Sequence, residues 1–138
     1  MNYCGINFLA VIVAAFLANA LGGLWYSPLM FQKKWMELLG IDAAKAEEMK
    51  VGMGKAFAAS LLSELVMSSM LAVIMVFLPG MSLLNGMAAG LLVWMGFVLP
   101  TGGLNYLFQG KPFKLYIIDM GYHAAALMIM GGVLGMWR

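Results

Sequence analysis

A chain of 138 residues that is 64% apolar and only 10% charged departs from soluble domains, which carry about 45–50% apolar and about 25% charged residues. That excludes a water-soluble globule, and it excludes intrinsic disorder, which needs low hydrophobicity and high net charge. The net charge of +2 is too small for a nucleic-acid partner. One cysteine, Cys4, leaves no disulfide framework and no cysteine-based metal cluster.

What remains is an integral membrane protein, expected as an all-α four-helix bundle forming a single transmembrane domain over residues 1–138. Four apolar runs, 6–27, 56–78, 82–100 and 115–137, match the roughly 20 residues needed to cross about 30 Å of hydrocarbon. None alternates apolar and polar residues as a barrel strand does, so helices are predicted throughout. In the first run Ala18-Asn19-Ala20 resembles a small-residue cleavage site. No basic segment precedes it and the apolar run continues to Trp25, so it is read as a span rather than a signal peptide.

The connection over 28–55 is expected to hold a short interfacial helix. Ser27 is placed to cap it, Pro28 to occupy its first position and Gly40 to end it. Trp25, Tyr26 and Trp35 are read as interfacial anchors at headgroup depth, and Asp42 as the cap of a second short helix reaching Lys50. The tight turn at 78–82 contains Pro79 and Gly80, and the connection at 101–114 carries Lys111 and Lys114. Lys33, Lys34, Lys45, Lys50 and Lys55 lie on the same side as that second pair. Basic residues concentrate in cytoplasmic loops, so both termini are predicted on the non-cytoplasmic side of a bacterial inner membrane.

Two acids and the only histidine fall inside predicted spans: Glu64, Asp119 and His123. A charge at the centre of a membrane helix costs about 2.5–3.5 kcal/mol on insertion scales, so such residues are functional candidates by default. Glu64 and His123 each lie nine residues from a lysine, Lys55 and Lys114, and Asn19 lies nine from Pro28. At 1.5 Å per residue, about 13 Å below the basic boundary, these form one polar layer. Ser60, Glu64 and Ser68 share a stripe at i,i+4, and Asp119 and His123 share the same relation, close enough to interact directly. The competing reading for Asn19 and the serines is interhelical hydrogen bonding.

Gly22-Gly23-Leu24-Trp25-Tyr26 and Gly102-Gly103-Leu104-Asn105-Tyr106 match at four of five positions, hinting at two same-orientation halves. Gly86-x-x-x-Gly90 and Gly131-x-x-x-Gly135 predict close helix contacts, within the bundle or in a homo-oligomer. The 15 methionines are scattered, which favours core packing over copper(I) binding. No metal, cofactor or catalytic residue is expected, and an enzyme is the weakest class because no hydrolase or phosphate-binding motif is present.

Gly22-x-x-Trp25-Tyr26-Ser27-Pro28-Leu29-x-Phe31 followed by Trp35, then Phe108-x-Gly110-Lys111-Pro112, Gly121-Tyr122-His123 and the closing Gly132…Trp137, resemble the domain of unknown function 1761 family over essentially the whole chain. The resemblance implies a small bacterial membrane protein with about four spans and no established activity. It adds interest to His123, whereas Asp119 departs from a pattern in which Asn is commoner. Two functions are expected to compete. One is a small oligomeric channel or transporter for protons or a small polar solute. The other is a structural or accessory subunit that binds lipid or an unidentified protein partner without transport.

Overall fold

Helix ends in this chain are written by short polar residues and glycine. In a computed structural model describing residues 2, 3 and 5–137, the backbone of Asn2–Tyr3 (β1) pairs with Ile6–Asn7 (β2) in a two-residue antiparallel ladder. The Asn7 side chain then accepts the Leu9 and Ala10 amides and starts α1, Phe8–Trp25. Cys4 and Arg138 lie outside the described residues, as do the expectations placed on them.

After α1 come α2 (Gln32–Leu39), α3 (Ala43–Val76), α4 (Leu83–Val93), a π turn (Trp94–Val98), α5 (Leu99–Phe108) and α6 (Phe113–Met136). Four helical stretches are long and apolar enough to cross a membrane: Phe8–Trp25, Ala43–Val76, Leu83–Phe108 and Phe113–Met136.

Three details differ from the sequence expectation. The interfacial helix starts four residues after Pro28, at Gln32, because the Ser27 hydroxyl turns back to the Leu24 carbonyl instead of capping forward. Gly40 ends it in the left-handed conformation, φ 66°. Asp42 does cap a helix, through the Lys45 amide, but that helix does not stop at Lys50. It runs for 34 residues into the second span. Neither Gly52 nor Gly54 breaks it, since glycine in a helix costs only about 1 kcal/mol against alanine. Nor does Pro100 end the third span. Proline lacks an amide and its ring clashes with the carbonyl four residues back. The π turn absorbs that defect, with the Leu99 amide reaching back to the Trp94 carbonyl. The helix then continues to Phe108, and the predicted 101–114 connection shrinks to 109–112.

α6 is the central helix, packed on α4, α1 and, more lightly, α3. The α4–α6 contact is made by backbone. A Cβ on Gly86 would overlap the Gly131 carbonyl, one on Gly131 the Gly86 carbonyl, and one on Gly90 the Leu127 carbonyl. The two GxxxG stripes therefore face each other inside one chain. On the other side of α6, Ala10, Ala14 and Ala18 of α1 meet Leu71 and Met75 of α3 with Met130 and Leu134, forming a dry core.

Candidate functional site

α3 joins this core only from Glu64 onward. Its buried residues are Glu64, Ser68, Leu71, Ala72 and Met75, while every residue from 50 to 60 is exposed. Toward the basic end, α3 therefore stands away from its neighbours and leaves wedges beside it. One, of about 260 Å³, lies against α1 between Gly22, Gly23, Phe57 and Ala56. Another, of about 240 Å³, lies against α6 between Ser63, Met67, His123 and Ala126. Ser60, Glu64 and Tyr122 line both.

Glu64 is 5% exposed and lines both chambers. Its Oε1 accepts the Tyr122 hydroxyl at 2.5 Å, and its Oε2 is the one fully buried side-chain polar atom without a hydrogen-bond partner among the described residues. Tyr122 has a second acceptor within reach, the Ala18 carbonyl at 3.3 Å. A hydroxyl carries one rotatable proton and two lone pairs. It can thus donate to an ionised Glu64, or accept from a protonated one while donating to Ala18. The arrangement serves both protonation states of the acid at Oε1.

The other polar residues of the layer are bonded across helices. The Asn19 amide donates to Ser60 Oγ at 2.8 Å, and buried Ser68 donates to the Val11 carbonyl at 3.0 Å. Both tie α1 to α3, as the hydrogen-bonding reading of these residues holds.

Asp119 occupies a separate cavity of about 530 Å³ with Trp35, Tyr106, Asn105 and His123 among its walls. As the i,i+4 spacing predicts, Asp119 and His123 lie close enough for their charges to interact, with no hydrogen bond joining them. Asp119 Oδ1 accepts Tyr26 Oη at 2.6 Å and its Oδ2 accepts Tyr106 Oη. Two phenols thus donate one to each carboxylate oxygen, occupying two of its roughly four acceptor directions. His123 instead packs against the Tyr122 ring at 5.0 Å and lines both the Asp119 cavity and the α3–α6 chamber.

The polar tips of Trp25 and Tyr26 bond within the bundle. The Trp25 indole donates to the Ile118 carbonyl at 3.1 Å, and Tyr26 closes on Asp119. Buried aromatic polar tips find protein partners, and α6 supplies both. Glycines make the fit: a Cβ on Gly22 would press on the Tyr122 ring, and one on Gly121 on Trp25. The two segments carrying the clearest motifs, Gly22-x-x-Trp25-Tyr26 and Gly121-Tyr122, interlock. Trp35 is half-buried, edge-on to Tyr26 at 5.8 Å.

The sequence reading missed the tyrosines as ligands of the acids. For Tyr26 and Tyr106 a signal existed, since they are the matched last positions of the repeated Gly-Gly-Leu-x-Tyr segments. For Tyr122 the signal was positional, because it precedes His123 on a helix whose Asp119 had drawn attention.

Four apolar spans and a polar layer inside them define a multi-pass helical membrane protein. The family described as "Protein of unknown function (DUF1761)" matches residues 9–135, nearly the whole chain. The chain belongs to that family. No curated protein and no solved structure matches it.

Proposed function

We propose that the chain is a small carrier for protons, or for a small polar solute moved together with protons, working as a homo-oligomer in a bacterial inner membrane. The observation that carries this reading is the place of His123. It lines the chamber of Glu64 and the cavity of Asp119 at once. Two carboxyls with an imidazole between them form a set of groups that can pass protons in succession, and intramembrane acids and histidines commonly serve such pathways.

A carrier fits better than an open channel. The chambers lie beside α3 on the lysine-bearing side of the packed core, where Ala14, Leu71 and Met130 fill the bundle. Passage requires helices to shift, as in alternating access. The excess of lysines at the chamber end supports a cytoplasmic orientation for it, with both termini opposite. We assign no catalytic chemistry to these groups.

The test is proton flux into vesicles holding the purified chain and an internal pH-sensitive dye, driven by an imposed potential. Flux above protein-free vesicles, abolished in Glu64→Gln and reduced in His123→Ala, is expected. Native flux equal to the protein-free background would sink the carrier reading. It would leave the accessory reading, which one feature favours: the first turns of α3 project free of the bundle, with Val51 91% exposed.

A further inference from the structure

We infer that the Glu64 chamber binds a small organic monocation with an apolar body, an alkyl- or arylammonium, which enters as Glu64 gives its proton to water. The inference builds on the proposed function by taking Glu64 as the working carboxyl and naming what it exchanges for.

The site is defined by what Glu64 lacks. Its Oε1 is held by Tyr122, but Oε2 is buried with no donor. A buried carboxyl of this kind is stabilised either by a proton or by a cation at the free oxygen. No lysine or arginine lines either chamber. The Asn19 side-chain amide, which lines the chamber, is directed to Ser60. The titratable groups facing Glu64 are Tyr26 beyond α1, and Tyr122 and His123 on α6, with Asp119 one turn further along and held by its own tyrosines.

The walls select the kind of cation. A bare inorganic ion needs about six oxygens to replace its water. Here the chamber that Glu64 lines on the α1 side is walled mainly by Gly22, Gly23, Met53, Ala56 and Phe57, with Asn19 and Ser60 already bonded to each other. Methylene and aromatic surface suits the body of an organic cation, and Phe57 and Tyr122 line the chamber as aromatic residues able to attract its charge. The chamber of about 260 Å³, adjoining one of about 240 Å³, lies just below the usual range of small-molecule pockets, about 300–1,000 Å³. It is bounded on the α3 side by Met53 and Phe57, themselves 57% and 53% exposed. A cation dissolved in the interfacial layer can slide in there with its apolar part never fully in water. As the ammonium enters, one proton leaves Glu64 for the aqueous end, so the charge of the site does not change.

The probe is benzyltrimethylammonium, whose charge is fixed, titrated by calorimetry into the full-length protein in detergent. Neopentylbenzene, its uncharged isostere, serves as competitor. Saturable binding is expected, with affinity rising up to about tenfold per pH unit while Glu64 must lose a proton. About one proton should be released per cation, measured by repeating the titration in buffers of different ionisation enthalpy. Glu64→Gln should abolish binding and proton release together, and Glu64→Asp should keep part of both. Equal displacement by neopentylbenzene, proton release that persists in a folded Glu64→Gln, or no saturable binding by the native chain would each overturn the inference. Should Glu64→Gln fail to fold, native binding that does not strengthen as pH rises, or that releases no proton, overturns it. Absent binding beside intact, Glu64-dependent proton flux removes the inference and leaves the carrier reading. Binding without flux does the reverse.

Discussion

The Tyr122 hydroxyl stands 2.5 Å from Glu64 and 3.3 Å from the Ala18 carbonyl, with one proton to share between them. Removing it tests how much the acid depends on that proton. Tyr122→Phe leaves Glu64 with no donor at either oxygen, and a buried polar group losing its partner costs about 1–3 kcal/mol. The thermal midpoint in detergent is therefore expected to fall for Tyr122→Phe, and to recover in Tyr122→Phe with Glu64→Leu, where both partners become apolar. A double variant no more stable than the single one would show that the pair contributes nothing as a pair. Tyr26, one residue past α1, gives a pH prediction. Burial, and then its bond to the Asp119 carboxylate, push its phenol above the ordinary range. A group that holds its proton more tightly when folded stabilises the fold fully below its unfolded value, about pH 10 for a phenol. That stability is lost as pH rises toward the folded value. The native protein should lose stability on raising pH above about 10, and Tyr26→Phe should show a shallower loss. Identical alkaline profiles would refute the assignment.

Among the elements, the glycines divide into those that touch backbone, those that touch side chains and those that touch nothing. Gly86 and Gly131 lie carbonyl to Cα across the α4–α6 contact, and Gly52, on the exposed start of α3, has open space where a Cβ would go. Gly86→Leu or Gly131→Leu should separate the helices and cost more than about 3 kcal/mol, seen as loss of the folded peak in size-exclusion chromatography. Gly52→Ala should raise stability by up to about 1 kcal/mol through helix propensity alone. Contact prediction of this kind was legible in the sequence: both GxxxG stripes were visible, though spacing could not say whether they met each other or a second copy. The four spans were legible too, because hydropathy over about 20 residues is a strong signal in lipid. Their ends were less so. Pro100 reads as a stop, and only the geometry of an added residue in the turn at Trp94–Val98 carries the helix through it. The polar layer was readable as depth from the lysines, but its pairings were not. Asp119 faced His123 on its own helix by spacing, whereas its actual partners, Tyr26 and Tyr106, come from two other segments.

For the molecule as a whole, the chambers beside α3 lie on the lysine-bearing side of the packed core. Thiols placed along the path should report this. A cysteine replacing Ser60, in the Cys4→Ser background, should react with a water-soluble thiol reagent added on the lysine-bearing side alone, while one replacing Ala14 or Met130 should stay unreactive from both sides. Labelling of Ser60→Cys from the terminal side would contradict both the closed core and the orientation proposed from the lysines. The backbone contact between α4 and α6 also has a mechanical meaning. Two helices locked carbonyl to glycine have no side-chain cushion to compress, so they move as one body. α3 has no such lock: its side-chain bonds to the rest begin at Ser60, and the part before that forms a lever of about 25 Å. If the protein changes shape as it works, α3 is the arm and the α4–α6 pair is the frame. Spin labels at 51 and 107 should report a distance that changes with pH, while a pair at 84 and 133 holds still.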